Sequence, residues 1–161
     1  MGRIYPRSEL LEARRQWRES GKTVVFTNGC YDILHPGHIR LLEQARSLGD
    51  ILVLGLNTDA SVARMKGPTR PLILEAERAE LAASLAAVDA VTLFDEDTPR
   101  ELIAALLPDI LIKGADWTHF IAGREEVEAA GGRVLTIPLE PGRSTTNLVE
   151  ALLARRAGIK A

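Results

Sequence analysis

The chain contains one cysteine, Cys30, among its 161 residues. No disulfide can form within it, so disulfide-stabilised extracellular scaffolds are excluded and a reducing compartment is favoured. No apolar run approaches the ~20 residues that span a membrane, and residues 1–6 lack the apolar core of a signal peptide. We therefore expect a cytoplasmic protein with no membrane partner.

Neither sign of charge dominates, since 20 Lys and Arg residues face 22 Asp and Glu residues, for a net charge of −2. This balance gives no basic footprint for nucleic acid, and we expect no nucleic-acid partner. Two nucleotide-binding motifs are also missing, the Gly-x-x-x-x-Gly-Lys-[Ser/Thr] loop and a Gly-x-Gly-x-x-Gly turn after the first strand. P-loop NTPases are thus excluded and dinucleotide binding is unsupported, so any phosphate site depends on local groups.

Apolar runs and helical patterns alternate along the whole chain. Strands are predicted at residues 23–27, 51–56, 90–94, 110–112 and 133–137, and helices at 8–21, 38–47, 61–64, 75–88, 99–107, 125–130 and 144–156. This alternation predicts a single α/β domain over residues 1–161, in which a five-stranded parallel sheet lies between two layers of helices. In such sheets ligands bind outside the carboxyl ends of the strands, at a topological switch point.

The most informative segment is His35-Pro36-Gly37-His38, between the first predicted strand and a helix predicted to begin at His38. Backbone N–H groups are unpaired at a helix start and the helix dipole favours anions there. Two imidazoles at this junction therefore indicate a place for the phosphates of a nucleotide. A metal pair is the rival interpretation, but the spacing offers no third ligand, and we expect no protein-bound metal.

Three further polar loops follow predicted strands: 57–59 with the basic loop 66–71, then 113–116, and 143–146. Taken singly, each has an ordinary interpretation as an exposed lysine or a helix cap. Because the carboxyl ends of parallel strands meet at one edge, we expect all of these loops to converge on the histidine turn. Consecutive hydroxyls at 144–146, at a predicted helix start, would form a nest for phosphate, and a basic loop would close over a triphosphate.

With His35-Pro36-Gly37-His38 near its start and Ser144-Thr145-Thr146 near its end, the chain resembles the cytidylyltransferase-like nucleotidyltransferases. More closely, it resembles the heptose 1-phosphate nucleotidyltransferases of lipopolysaccharide and surface-glycan assembly. Other matching segments lie at 26–29, 31–35, 56–61, 66–67, 70–71 and 107–116, so that the likeness covers residues 23–153. It implies a three-layer Rossmann-like nucleotidyltransferase fold. It also implies transfer of an NMP group, AMP above all, from an NTP to D-glycero-D-manno-heptose 1-phosphate, with release of pyrophosphate.

The resemblance also implies roles for individual residues. Catalysis would fall to His35, His38 and Lys66. The nucleotide and its phosphates would be bound by Thr27, Asn28, Gly29, Gly37, Arg143, Ser144, Thr145 and Thr146. Candidates for the sugar-phosphate side are Asp32, Asn57, Asp59, Arg70, Lys113 and Asp116.

The co-substrate would be ATP or another NTP, and Mg²⁺ would arrive with the triphosphate rather than in a protein cage. By analogy with related enzymes a homodimer is expected. Two alternatives stay open: another transferase of the superfamily, such as a glycerol-3-phosphate cytidylyltransferase, and a non-catalytic nucleotide-binding module.

Overall fold

A computed structural model describes residues 1–114, 120–138, 149 and 152–155 of the chain. Its strands are β1 (Arg3–Ile4), β2 (Val24–Gly29), β3 (Ile51–Asn57), β4 (Ala90–Phe94), β5 (Ile110–Gly114) and β6 (Arg133–Ile137). Its helices are α1 (Arg7–Glu19), α2 (Pro36–Arg46), α3 (Asp59–Lys66), α4 (Glu75–Ala83), α5 (Arg100–Leu106) and α6 (Arg124–Ala129). Residues 149 and 152–155 are helical too, inside the range predicted for the last helix.

The strands form one parallel sheet in the order β1-β4-β3-β2-β5-β6, and the parallel α/β fold predicted from the sequence is confirmed. The prediction of five strands was wrong, because the described residues form six. The additional strand is β1, whose Arg3 and Ile4 pair with Ala90 and Val91 of β4. Two exposed residues carry no periodic signal, and pairing with a strand far along the chain is what makes them extended.

Helices cover both faces of the sheet because alternate side chains of each buried strand point in opposite directions. Val25 packs in a cluster with Leu42 of α2 and Ala82 of α4. Phe26, the next residue, packs on the other face with Leu10 of α1 and Leu102 of α5. Each fully buried valine, leucine or phenylalanine among them contributes roughly 1.5–3 kcal/mol through removal of its apolar surface from water. The result is a three-layer arrangement whose core lies on both sides of β2.

The order of the strands makes β2 the switch point of the sheet. From β2 the chain proceeds outward to β3 and β4, then crosses to β5 on the other side of β2. Connections therefore diverge at the carboxyl ends of β2, β3 and β5, and a crevice forms there. Along the parts of the chain that the structure describes, no helix is both long and apolar enough to cross a membrane.

Candidate active site

The turn between β2 and α2 places two histidines at the amino-terminal end of a helix. Pro36 occupies the first helical position, two residues before the predicted start, and His35 is the N-cap with an extended backbone (φ −143°, ψ 164°). The imidazoles of His35 and His38 stack, with ring centroids 3.7 Å apart and planes 20° from parallel. Both rings therefore lie at the end of α2 where unpaired N–H groups and the helix dipole favour an anion.

His38 is held in a neutral state by its surroundings. Burial, followed by the nearby charges of His35 and Lys66, lowers the pKa of His38 to about 4. Its Nδ1 atom is buried and has no hydrogen-bond partner among the described residues. At neutral pH this imidazole thus carries one N–H and one lone pair.

Tyr31 supports this turn and was missed at the level of sequence. Its ring centroid lies 4.6 Å from that of His38, and its backbone adopts a left-handed conformation with φ of 47°. A Cβ atom at Gly29 would lie 2.9 Å from the Tyr31 ring, so glycine is required where the turn folds back on β2. Burial raises the pKa of the Tyr31 phenol, which stays protonated. A positive φ on a bulky residue has no signal in a single sequence.

A cavity of about 320 Å³ opens at the carboxyl ends of β2, β3 and β5. Side chains from all three strand ends line it, together with residues of α3 and of the segment after residue 119: Asn28, Cys30, Asn57, Lys66, Lys113 and Phe120. The predicted convergence of the loops after β2, β3 and β5 is therefore found in the structure. Neither His35 nor His38 lines this cavity, and His35 lines a separate groove of about 420 Å³ with Leu34, Pro36 and Arg40.

Two lysines, Lys66 and Lys113, line the cavity together with one carboxylate, Asp97, which is paired with Arg64 at 3.0 Å. Lys66 is the last residue of α3, and Gly67 after it has a φ of 94° that only glycine adopts readily. Lys66 also lies close enough to His38 and Cys30 to lower the pKa of each. Burial outweighs this effect at Cys30 and raises the pKa of its thiol, which stays protonated at neutral pH.

Asp32 is paired within the protein. Its carboxylate accepts hydrogen bonds from Arg70 Nε (2.6 Å) and from the backbone N–H groups of Leu72 (2.8 Å) and Ile73 (3.0 Å). Burial alone would raise the pKa of Asp32, but these hydrogen bonds outweigh it and the pKa is lowered. Asp32 and Arg70, both predicted on the sugar-phosphate side, thus bind each other and hold the loop between α3 and α4 against the histidine turn.

Asn57 and Asp59 also have partners in the fold. Asn57 Nδ2 donates to Ser61 Oγ at 3.0 Å, while its side chain still lines the cavity. Asp59 forms an ion pair with Arg78 Nη2 at 2.7 Å. Arg78 was not predicted as a functional residue, although the helical spacing of Arg78, Ala79 and Ala82 would have placed it on the buried face of α4.

Thr27, Asn28 and Gly29 end β2 directly beneath the crevice. Thr27 is buried, and the buried Oδ1 atom of Asn28 has no hydrogen-bond partner among the residues that the structure describes. Gly37 lies in the first turn of α2. The remaining predicted site residues, Asp116, Arg143, Ser144, Thr145 and Thr146, lie outside the described residues. Among those described, no group of three or more His, Cys, Asp or Glu side chains is arranged to hold a metal ion.

The fold and this crevice define a class of protein. A family model described as cytidylyltransferase-like matches residues 26–151. The chain therefore belongs to the cytidylyltransferase-like family, and the resemblance predicted from its motifs is confirmed.

Known relatives narrow the comparison. The chain is 56% identical over 154 residues to the bifunctional protein HldE of Syntrophotalea carbinolica, a match that covers 95% of this chain and 31% of that protein. It thus spans about a third of the length of the curated relatives that it matches.

Solved structures agree on the fold. The crystal structure of the lipopolysaccharide core biosynthesis protein from Thermoplasma volcanium is 31% identical with a TM-score of 0.61, and the match covers 74% of this chain and 98% of that one. Pantoate-beta-alanine ligase from Francisella tularensis is 14% identical with a TM-score of 0.63, over 90% of this chain and 69% of that one. The second likeness concerns the fold alone.

Proposed function

We propose that the protein is a nucleotidyltransferase that transfers AMP from ATP to D-glycero-D-manno-heptose 1-phosphate and releases pyrophosphate. The observation that carries this proposal is the stacked pair His35 and His38 at the start of α2, at the switch point of the sheet. The relatives named HldE and the lipopolysaccharide core biosynthesis protein support a sugar phosphate of surface-glycan assembly as the acceptor.

The chemistry is a single in-line displacement at the α-phosphate. An oxygen of the sugar 1-phosphate forms a bond to the α-phosphorus while the bond from that phosphorus to the bridging oxygen breaks. The electron pair of the broken bond leaves with pyrophosphate. Because a phosphate oxygen is already anionic, the reaction needs no general base, and the protein acts through positioning and charge stabilisation.

The histidine turn and the lysines of the cavity fit such a role. His35 and His38 would donate hydrogen bonds to the phosphates, with His38 nearer the α-phosphate, and Lys66 would stabilise the charge that develops there. A neutral His38 with a low pKa suits a hydrogen-bond donor rather than a base. Backbone groups of Thr27, Asn28 and Gly29 would line the site of the phosphates. Gly37, which has no side chain, would let the phosphates approach α2.

The outer phosphates would be held by Arg143, Ser144, Thr145 and Thr146, a proposal that rests on sequence alone. Lys113, on the wall of the cavity with Lys66, is the cation for the sugar phosphate. Asp116 is proposed for the same side from the sequence. Mg²⁺ is part of the substrate, bound by the triphosphate and by water.

We place this reaction in the cytoplasm, where nucleoside triphosphates are made, and assign it no membrane or nucleic-acid partner. A homodimer is proposed by analogy only. Light scattering of the purified chain at several concentrations measures this directly, and a mass that stays at the 17.6 kDa of one chain would contradict it.

The test is a matrix of acceptors and nucleotides. The purified protein is incubated with Mg²⁺, each of ATP, CTP, GTP and UTP, and each of heptose 1-phosphate, glucose 1-phosphate and glycerol 3-phosphate, while pyrophosphate release is followed. We expect release with ATP and heptose 1-phosphate, and ADP-heptose as the product. Release with CTP and glycerol 3-phosphate would replace the proposal with a glycerol-3-phosphate cytidylyltransferase. If a nucleotide binds but no combination of nucleotide and acceptor releases pyrophosphate, the chain is a non-catalytic binding module.

A further inference from the structure

Arg78 is a charged side chain with no exposed surface, and its guanidinium binds three separate segments of the chain. Nη1 donates to the carbonyl of Cys30 at 2.6 Å, Nη2 to Asp59 at 2.7 Å, and Nε to the carbonyl of Ile73 at 3.0 Å. A charge removed from water in this way is costly unless it is paired and hydrogen-bonded, as it is here. Three segments that are far apart in sequence thus share one buried cation.

Glu75, which lies on α4 with Arg78, also binds Asp59. Glu75, the first residue of α4, accepts a hydrogen bond from the backbone N–H of Asp59 at 2.6 Å. Glu75 and Arg78 are three positions apart, so they lie on one face of α4. The first turn of α4 therefore binds both the backbone and the carboxylate of Asp59, where α3 begins.

These contacts connect the two halves of the candidate active site. α3 has eight residues, beginning at Asp59 and ending at Lys66 on the cavity wall. The carbonyl of Cys30 belongs to the segment that runs from β2 to His35. By holding Asp59 and the Cys30 carbonyl together, Arg78 sets the position of Lys66 relative to the stacked histidines.

We propose that Arg78, assisted by Glu75, is a positioning residue for nucleotidyl transfer that acts through Lys66. The inference rests on the proposed function, since it needs a reaction in which Lys66 and the histidines act on the same phosphates. Arg78 touches no substrate in this scheme, because the protein surrounds it completely. A misplacement of about 1 Å at a reacting group costs on the order of 100-fold in rate, so small displacements of α3 are enough.

The chain supplies a matched control in a second buried arginine. Arg14 of α1 donates to the carbonyls of Leu106 and Leu107 and pairs with Asp109 at 3.1 Å. Those partners lie at the end of α5 and before β5, at the opposite edge of the sheet from the crevice. Loss of either arginine disturbs a buried charge cluster, but only Arg78 is linked to Lys66.

The experiment compares R78K and R14K, each of which retains a cation, with and without the K66A substitution. Thermal unfolding and steady-state kinetics with ATP and heptose 1-phosphate are measured for all six proteins, including wild type and K66A alone. We expect R78K to lower kcat by about 10–100-fold with a change in the KM for ATP below ~3-fold, and R14K to keep kcat within about twofold. In the K66A background we expect R78K to cost less than ~3-fold, because its effect passes through Lys66.

Three outcomes overturn the proposal: R78K retains wild-type kcat, R78K loses the same factor with and without Lys66, or R14K loses as much kcat as R78K. If R78K does not fold, E75A carries the same comparison, with an expected loss of kcat of about 3–10-fold that disappears in the K66A background. A wild-type protein without turnover on any nucleotide and acceptor would instead contradict the proposed function, so the two failures are distinguishable.

Discussion

The two edges of the central sheet differ in how their polar side chains are bonded. At the amino-terminal edge, aspartates bind backbone N–H groups at or near the start of neighbouring strands. Asp109 accepts from the N–H of Val24 at 2.7 Å, and Asp89 from that of Leu52 at 2.8 Å. Arginines in turn pair with both carboxylates, Arg14 with Asp109 and Arg46 with Asp89.

At the carboxyl-terminal edge, buried polar atoms are left over. Among the described residues, neither the Nδ1 atom of His38 nor the Oδ1 atom of Asn28 has a hydrogen-bond partner. Buried polar groups are nearly always bonded, so such gaps call for an explanation. At the amino-terminal edge, Nη1 of Arg14 is likewise buried without a partner among these residues, but the other nitrogens of that side chain are bonded to Leu106, Leu107 and Asp109. The gaps at the carboxyl-terminal edge lie instead on the histidine turn and at the end of β2, where a ligand would fill them under the function proposed above.

The largest effect is expected at the carboxyl-terminal edge, from His38→Ala. We expect the variant to fold normally and to lose about 10²–10³-fold in kcat, because a hydrogen-bond donor to the reacting phosphate is removed. Steady-state pyrophosphate release gives the rate, and circular dichroism with thermal unfolding checks the fold. A folded variant with wild-type turnover would remove His38 from the mechanism.

A smaller loss is expected for Lys66→Ala. A lysine that meets the charge developing at the α-phosphate contributes more to the transition state than to the bound ground state. We therefore expect kcat to fall by about 100-fold, with a lesser change in the Kd for ATP measured by calorimetry.

Lys22→Ala is the matched control for Lys66, since Lys22 faces Asp50 at 3.8 Å at the amino-terminal edge. Its kcat should equal that of wild type. If Lys66→Ala weakens ATP binding while kcat is retained, Lys66 holds the ground state only.

A substitution at the amino-terminal edge should lower stability without changing the reaction rate. Asp109→Ala leaves the N–H of Val24 and the Arg14 guanidinium without this acceptor, which should cost roughly 1–3 kcal/mol in the free energy of unfolding. Denaturant titration measures this loss, and kcat should stay within about twofold of wild type. A fall in kcat comparable to that of Lys66→Ala would mean that the two edges are not functionally separate.

The smallest effect is a pH dependence of stability that originates at His38. The pKa of His38 is about 4 in the folded protein against an ordinary value of 6.5. Between these values the unfolded chain binds a proton that the folded one does not, so stability falls as pH drops from 6.5 to 4. Above 6.5 the contribution of His38 is constant.

Thermal unfolding of wild type and His38→Gln at pH 7 and pH 5 measures this effect. The wild-type Tm should fall more between the two pH values than the variant Tm, since the variant lacks the titrating group. Equal decreases in both proteins would show that His38 titrates normally and is not enclosed as described.

Much of the fold could be predicted from local patterns in the sequence. β-Branched and apolar runs predicted β2 to β6, and the parallel order then predicted that the loops after β2, β3 and β5 would converge. The histidine turn was recognisable because His35 to His38 are contiguous in sequence.

What sequence reasoning missed depends on distance along the chain. β1 exists only through its pairing with β4, about 87 residues away by its register (Arg3 with Ala90). The Asp32–Arg70 and Asp59–Arg78 pairs join residues separated by 38 and 19 positions. A carboxylate near a phosphate site therefore suggested substrate binding, whereas its partner is an arginine of the protein. No local propensity encodes that choice, which depends on the packing of α4 against the turn.

The central claim is that a nucleotide binds at the carboxyl-terminal edge of the sheet, and the NMR signals of the histidines measure this most directly. The chain has three histidines, so its imidazole ¹⁵N spectrum is simple and can be assigned with single His→Gln variants. Titration with Mg-ATP should shift the signals of both His35 and His38, saturating at one ATP per chain, and should raise the pKa of His38, because nearby phosphate favours the charged imidazole. If calorimetry shows ATP binding while the His35 and His38 signals and the His38 pKa stay unchanged, the nucleotide binds elsewhere and the account is contradicted.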